Sequence, residues 1–303
     1  MTLPRSIGRP AVLLTLLTVL VLTPVAAEPP VPCADPRQPC RGLLWRIESA
    51  STPASYLFGT VHVSDPRVTR LAPPVKKALD GAASFTSEMF TNGPGIVHMA
   101  ETMYFNNSQR LSTLLGPAWY ARLQQTLKHH KIPAGDLDRK KPWTVFMMLA
   151  KPAGHRPGIH LDLALEIASI QQGKRVYALE TMAEQLAVFN ELPIQDQIDV
   201  LKFALQRFDR TNRLHEQMLL LYLARDLSGL FRMIESEPIA DDRLQKVMLD
   251  RLLWARNVRM LERMKPRLQE GNAFIAVGAG HLPGPQGLLA LLHRAGYRVT
   301  PVY

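Results

Sequence analysis

The sequence predicts an α/β fold: a mixed sheet that contains parallel strands, built from strand-helix-strand units at both ends of the chain, with a helical insert between them. The first observation is a repeated motif, in which an apolar run leads into Gly-x-x-His at residues 59–62 and again at 278–281. The second is that a turn, a helical pattern and another strand pattern follow each copy. The third is helical periodicity through the middle of the chain.

The N-terminal unit begins with a β-hairpin. Its predicted elements are a strand at 43–47, a turn at 48–54, a strand at 55–58, a loop at 63–71 after the first motif and a strand at 84–88. A helix fills the gap before the last strand, because Pro73 or Pro74 suits a first helical turn and Gly81 suits a helix C-terminus. The last strand of this unit ends at Glu88.

The middle of the chain predicts helices at 119–130, 143–150, 161–172, 183–190, 195–210, 213–227 and 241–268. Gly173 ends the third of these, and a strand at 175–179 follows it and leads to Glu180. In the last helix, apolar side chains at Val247, Trp254, Val258 and Leu261 recur at helical spacing. The C-terminal unit consists of a strand at 273–277, the second motif, a helix at 286–294 and a strand at 297–302.

Residues 1–27 read as a signal peptide. Arg5 and Arg9 give a basic start, residues 11–22 are apolar, and Val25-Ala26-Ala27 fits a small-residue cleavage site. The apolar run is short for a transmembrane helix, so an uncleaved anchor is the less favoured alternative. We therefore expect a mature protein that starts near Glu28, is periplasmic or secreted, and is not stably inserted in the membrane.

The mature chain, residues 28–303, is expected to form a single domain, because matched motifs near its two ends should meet in space. Its two cysteines, Cys33 and Cys40, follow the signal directly. In an oxidising compartment they are expected to pair, and the short loop between them makes the predicted stabilisation modest. A metal site at these cysteines is the weaker interpretation, since no further Cys or His lies nearby.

The chain has a formal net charge of +10, which does not by itself identify an anionic partner. Lys and Arg are scattered along amphipathic helices and no basic run is interleaved with aromatic residues, so we expect no nucleic-acid partner. The charge could favour an anionic envelope, polysaccharide or phospholipid surface, but solvated helix faces are the better interpretation of it. The chain lacks His-Glu-x-x-His, a phosphate-binding Walker loop, the dinucleotide fingerprint and Gly-x-Ser-x-Gly, which argues against several common enzyme classes.

The candidate site residues lie at the ends of predicted strands. His62, Glu88, Glu180 and His281 each follow a predicted strand. If the strands are parallel neighbours, these side chains share one sheet edge. Two imidazoles and two carboxylates suit Zn²⁺, Mn²⁺ or a similar ion, and a carboxylate left outside the coordination sphere could act as general base. A lone His after a strand is more often a hydrogen-bonded turn residue, but the repeated motif favours function for both histidines.

Arg256 and Asn257 form a second candidate group. Asn257 falls inside the apolar stripe of its helix, where a buried amide needs a hydrogen-bond partner. It could fix a ligand or cap a neighbouring loop. Arg256 lies at the edge of the stripe and could bind a carboxylate or an oxyanion, or form a surface ion pair.

Five segments form a specific combination: 56–66 (YLFGTVHVSDP), Pro142-Trp143, 173–186 (GKRVYALETMAEQL), Arg256-Asn257-x-x-Met260 and 276–298 (AVGAGHLPGPQGLLALLHRAGYR). In these segments the chain resembles the TraB/GumN family, which is related to the Tiki proteases. The resemblance runs from about residue 43 to the C-terminus. One departure is the run 85–89, which is less aliphatic than the usual approach to the first acidic residue.

The resemblance implies a metal-dependent hydrolase fold similar to the Tiki and erythromycin-esterase-like superfamily, whose Tiki members are metalloproteases. Carried over to this chain, the site consists of His62, His281, Glu88, Glu180, Arg256 and Asn257. The histidines and one or both glutamates would hold a divalent metal ion (Zn, Mn or Co). Glu88 or Glu180 would serve as base, and Arg256 with Asn257 would steady the substrate or its oxyanion.

The leading hypothesis is thus an exported metal-dependent hydrolase that acts on a peptide or protein substrate. One alternative is a non-catalytic periplasmic binding module that uses the same pocket for a metal, haem or peptide. Another is an accessory protein for envelope polysaccharide, for which the sequence offers only its basic charge.

Overall fold

Six strands hydrogen-bond into one mixed sheet, in a computed structural model that describes residues 31–35, 37–90, 93–128, 134–151 and 158–303. The strands are β1 (Leu44–Glu48), β2 (Ser55–Thr60), β3 (Ser84–Met89), β4 (Arg175–Glu180), β5 (Ala273–Gly278) and β6 (Arg298–Pro301). Their order across the sheet is β4-β3-β5-β2-β1-β6. The predicted α/β class with a parallel-containing mixed sheet is confirmed.

The parallel pairs of this sheet are β2 with β5, β5 with β3, and β3 with β4, while β1 runs antiparallel to β2 and β6. The register places Thr60 opposite Gly278 and Met89 opposite Glu180. The carboxyl ends of four strands from distant parts of the sequence therefore meet at one edge. The predicted hairpin of the N-terminal unit is also confirmed, as β1 and β2.

Helices cover the sheet and make up the insert. They are α1 (Pro66–Thr69), α2 (Pro73–Gly81), α3 (Gly93–Thr102), α4 (Leu111–Leu115), α5 (Pro117–Leu127), α6 (Ala134–Arg139), α7 (Pro142–Leu149), α8 (Leu161–Gln171), α9 (Met182–Asn190), α10 (Ile194–Gln206), α11 (Thr211–Leu223), α12 (Leu227–Ser236), α13 (Asp242–Leu249), α14 (Ala255–Glu270) and α15 (Leu288–Arg294). Single turns of 3₁₀-helix lie at Phe208–Arg210 and Ala279–His281, and a π-helical turn at Asp250–Trp254 joins α13 to α14.

The main core lies around β5, the central strand of the parallel part. A strand that is covered on both faces and paired on both sides should be continuously apolar, and Ala273–Val277 are all almost fully buried. Phe274 contacts the rings of Phe58 on β2 and Phe85 on β3, which ties the neighbouring strands together. The helical insert has a core of its own, which contains Leu111, Leu123, Val145 and Leu201. Residues Val31–Tyr303 group into one compact unit.

Several helix boundaries in the structure differ from the predicted ones. The pattern at 241–268 predicts one helix, but the structure has α13, a π-helical turn and α14, and Val258 is 56% exposed, so it is not part of the buried face. The pattern at 213–227 runs past the true end of α11. Arg225 adopts a left-handed φ of 57° there, and Asp226 then caps α12 by accepting the Gly229 N–H. Helices α1, α3, α4, α6 and α12 were not predicted, and α1 lies in the predicted loop 63–71. Three of them, α1, α4 and α6, have only four to six residues and therefore carry a weak periodic signal.

Cys33 and Cys40 form a disulfide, as predicted. The predicted signal peptide and the histidines at 129, 130 and 155 lie outside the described residues. Within the part of the chain that the structure describes, no helix combines the length and the apolar character needed to cross a bilayer.

Candidate active site

The residues predicted from strand ends lie at the carboxyl edge of the parallel strands. Glu88 is the penultimate residue of β3, and Glu180 is the last residue of β4. His281 ends the 3₁₀ turn that follows β5, and His62 follows β2. The parallel pairing of β2, β5, β3 and β4 brings these chain segments side by side.

The motif glycines allow close approach between these segments. A Cβ atom on Gly59 would lie 2.8 Å from Leu282 Cδ1 and 3.2 Å from the Cα of Ala279, so the first motif packs directly against the second. A Cβ atom on Gly278 would lie 3.2 Å from Glu88 Oε1, and the Gly278 N–H donates a hydrogen bond to that same oxygen. A larger side chain at either position would push the motif away from its neighbours.

His281 is held in one orientation. Its side chain is 6% exposed, and its Nδ1 lies 2.6 Å from Asn257 Oδ1. The Asn257 amide is oriented by its own Nδ2, which donates to the Gln286 carbonyl at 2.8 Å. Asn257 Oδ1 therefore accepts from His281 Nδ1–H, and the Nε2 lone pair is left to face the site. Burial lowers the pKa of His281 to about 4, which keeps the imidazole neutral near pH 7.

The lone pair of His281 Nε2 faces Glu88, whose Oε1 is 3.6 Å away. The other carboxylate oxygen of Glu88 accepts from Arg256 Nη2 at 2.8 Å. Burial would raise the pKa of Glu88, but neighbouring His281 and Arg256 and the hydrogen bond from the Gly278 N–H lower it below its ordinary value. The result is a buried, ionised carboxylate beside a neutral imidazole nitrogen.

Glu180 has a different environment. Its side chain is fully buried, and Arg256 donates to both of its oxygens, with Nε 2.9 Å from Oε2 and Nη2 2.7 Å from the same atom. Arg259, one turn along α14, donates to Oε1 through Nε at 3.2 Å and through Nη2. Both oxygens are thus engaged by arginines. In this arrangement Glu180 holds the guanidinium of Arg256, which also donates to Glu88.

His62 is anchored by Asp162, which was not predicted from the sequence as a site residue. Its Nδ1 lies 2.8 Å from Asp162 Oδ2, and the Thr60 hydroxyl donates to Asp162 Oδ1. The hydrogen bond with Asp162 raises the pKa of His62 to about 8. Burial would raise the pKa of Asp162, but its close contacts with His160, His62 and the Thr60 hydroxyl hold that pKa well below its usual range. In the sequence, Asp162 looks like an acidic residue in the first turn of a helix, where the helix dipole alone explains it.

A cavity of about 230 Å³ opens at this edge. Its lining residues are His62, Ser87, Glu88, Met89, His160, Asp162, Leu163, Glu166 and Gln185. Glu88 lines the cavity on one side and contacts His281 on the other. His62 and Glu88 thus face one cavity, and His281, Arg256, Asn257 and Glu180 lie behind Glu88. Among the described residues, the group of three donor side chains whose ligand atoms all lie within 4.8 Å of one another is His62, His160 and Asp162.

The donor set suits a divalent metal ion. His281 offers an unprotonated Nε2 whose partner nitrogen is already hydrogen-bonded, and Glu88 offers an ionised oxygen beside it. Two imidazoles and a carboxylate are ligands that Zn²⁺, Mn²⁺ and Co²⁺ accept. Arg256 and Asn257, to which the family resemblance assigns substrate or oxyanion contacts, contact Glu88, Glu180, His281 and the Gln286 carbonyl in this structure. Their contacts indicate that they orient the donors.

Comparison with known proteins adds an independent line of support. The profile of the TraB/PrgY/gumN family matches residues 43–301. Metalloprotease TIKI2 of Danio rerio is 26% identical over 310 residues, covering 84% of this chain and 60% of the relative. Metalloprotease TIKI1 of Homo sapiens is 26% identical over 309 residues, covering 84% and 61%. A Metalloprotease TIKI homolog of Nematostella vectensis is 24% identical over 330 residues, covering 89% and 69%.

The chain thus spans about three fifths of the length of the first two relatives. No solved structure matches the chain at a significant level.

Proposed function

Since the chain belongs to the TraB/PrgY/gumN family, we propose that it is an exported metal-dependent hydrolase that cleaves peptide bonds. The relatives named metalloproteases support the reaction class, and they support a peptide or protein as the substrate. The disulfide between Cys33 and Cys40 supports export, because such bonds persist in oxidising compartments such as the periplasm or the extracellular space. The predicted signal peptide at residues 1–27 supplies the route.

One observation carries the proposal: the buried His281 places Nε2 3.6 Å from Glu88 Oε1 while its Nδ1 is held by Asn257 Oδ1 at 2.6 Å. A neutral nitrogen with no proton to donate gains nothing from facing a carboxylate at 3.6 Å. A cation between the two atoms would resolve this contact, since both atoms are electron-pair donors. Asn257 supports the same interpretation, because histidine ligands usually donate their second nitrogen to a fixed acceptor.

In this proposal His62, His281 and Glu88 hold the metal ion. A bound ion of this kind lowers the pKa of a coordinated water toward neutrality and polarises a carbonyl oxygen. Arg256 keeps Glu88 ionised and oriented, and Glu180 keeps Arg256 in place. Asn257 keeps His281 in the tautomer that binds metal. The cavity beside His62 and Glu88 admits the substrate.

One alternative is a binding module that holds the metal without catalysis. The same donor atoms would serve a hydrolase and such a module equally well. A haem-binding role has less support. The cavity of about 230 Å³ is smaller than the roughly 300 Å³ at which pockets for drug-sized ligands begin.

Metal titration and peptide cleavage, measured on the same preparations, distinguish the hydrolase from the binding module. Calorimetric titration with Zn²⁺ and Mn²⁺ should give one tight site in the wild type and much weaker binding in His281→Ala and His62→Ala. The matched control is His293→Ala, a histidine on α15 without a role in the site. Metal binding together with cleavage of a peptide library supports the hydrolase. Binding without cleavage supports the binding module, and a wild type that binds no metal contradicts both.

A further inference from the structure

We infer that Asp162 is the positioning residue of the first motif histidine, matching for His62 what Asn257 does for His281. The inference rests on the proposed function, because the purpose of the positioning is to present His62 to the metal ion. It adds a residue from α8 to a site otherwise built from β3, β4, α14 and the two motifs.

Both oxygens of Asp162 bind the first motif. Oδ2 lies 2.8 Å from His62 Nδ1, and Oδ1 accepts from the Thr60 hydroxyl. One carboxylate thus holds two residues of a four-residue motif that lies 100 positions away in sequence. A backbone hydrogen bond makes a second connection between α8 and the first motif: the Leu161 N–H donates to the Val63 carbonyl at 3.2 Å. The N-terminus of α8 is therefore held against the motif by the backbone as well as by the Asp162 side chain.

His62 needs such an anchor more than His281 does. The His62 side chain is 65% exposed, whereas that of His281 is 6% exposed and packed on most sides. An imidazole that is mostly in solvent has rotational freedom that metal binding would have to remove. Asp162 removes it beforehand and fixes Nδ1 as the protonated nitrogen, so that Nε2 becomes the ligand atom.

The two motifs then share one design. In each, Nδ1 of the motif histidine faces a side-chain oxygen from a helix, Asp162 from α8 or Asn257 from α14. In each, Nε2 is left for the site. The oxygen acceptors differ in charge, and the anionic one serves the exposed histidine.

A direct role for Asp162 as metal ligand fits the contacts less well. Donor atoms of His62, His160 and Asp162 do lie within 4.8 Å of one another. However, both Asp162 oxygens are already hydrogen-bonded, and 2.8 Å is the length of a direct hydrogen bond. His160 Nδ1 is farther away, 3.5 Å from Oδ2, and it lies 3.4 Å from the Leu163 N–H as the N-cap of α8.

Metal titration of Asp162→Asn tests the inference. The variant keeps the shape of the side chain but replaces one oxygen by an amide and removes the charge. Loss of a partner of this kind typically costs about 10–100-fold in metal affinity, and we expect a loss of that size for both Zn²⁺ and Mn²⁺. The control is Asp242→Asn in the first turn of α13, which removes the same charge from a helix N-terminus away from the site and should leave the affinity unchanged.

Two results of this titration would overturn the inference. An affinity for Asp162→Asn equal to that of the wild type would show that the anchor is dispensable. A loss as large as that of His62→Ala would show that Asp162 is itself a ligand. A wild type that binds no metal would instead overturn the proposed function.

A second measurement does not depend on any variant of Asp162. Long-range ¹H–¹⁵N spectra of the Zn²⁺-loaded wild type, assigned with His62→Gln, report which ring nitrogen carries the proton. We expect His62 to keep its proton on Nδ1 and to bind zinc through Nε2. Coordination through Nδ1 would overturn the inference even if Asp162→Asn does not fold.

Discussion

Replacement of Glu180 by glutamine tests whether this residue holds the metal or holds the arginines. Glu180 is fully buried and accepts from both Arg256 and Arg259. Glutamine keeps the size but removes the negative charge that the guanidinium groups of Arg256 and Arg259 share, and Arg256 then keeps Glu88 as an anionic partner. Removing one partner of a buried ion pair costs about 3–5 kcal/mol. Arg259 is 33% exposed and gains some solvation, so we expect the lower end, about 3 kcal/mol.

The assay is urea unfolding followed by tryptophan fluorescence, combined with Zn²⁺ titration of the folded protein. We expect Glu180→Gln to lose about 3 kcal/mol of unfolding free energy and to keep its metal affinity within a few-fold. The control is Glu184→Gln, which removes a carboxylate from a partly exposed pair with Arg263 and should cost less than about 1 kcal/mol. A variant with wild-type stability and no metal binding would refute this reasoning and assign Glu180 as a ligand.

Three further predictions follow from the contacts. Asn257→Leu leaves His281 Nδ1–H without its acceptor in the buried site, so we expect a loss of about 1–3 kcal/mol in urea unfolding and about 10–100-fold weaker metal binding by calorimetry. Hydrogen bonding lowers the pKa of Glu184 from 4.5 to about 2, so it stabilises the fold above pH 4.5 and less as the pH falls toward 2. The stability difference between wild type and Glu184→Gln should therefore shrink as the pH falls from 4.5 toward 2 and vanish only below the folded pKa of about 2, and a constant difference would contradict this. Replacing Cys33 and Cys40 by serine should cost about 2 kcal/mol in unfolding free energy and leave metal affinity unchanged, whereas a loss of metal binding would contradict this separation.

The sequence predicted the parts of the fold that depend on local patterns. The hairpin, the strand at 273–277 and the two motif turns all carry short-range signals that the sheet preserves. The strand that carries Glu88 was predicted from a weaker pattern, since Thr86 and Ser87 are polar, yet both are buried because β3 lies between β4 and β5. Tertiary position, not composition, explains that strand.

The roles of individual site residues depend on contacts that no local pattern records. Asp162 meets His62 across 100 positions, and in its own helix it looks like an ordinary first-turn acid. Glu180 ends a strand as Glu88 does, but only the fold shows that α14 brings Arg256 and Arg259 onto it. Their positions at strand ends identified Glu88 and Glu180 as one group, and the proposal of different roles for them comes from their hydrogen-bond partners.

The most direct test of the account is cleavage of a peptide library by protein that has been stripped with a chelator and resupplied with single divalent ions. We expect no cleavage by the stripped protein and restored cleavage with Zn²⁺, Mn²⁺ or Co²⁺. His281→Ala should remain inactive with every ion because it lacks the nitrogen that faces Glu88. Equal cleavage by stripped and resupplied protein, or full activity of His281→Ala, would contradict a metal-dependent site at this sheet edge.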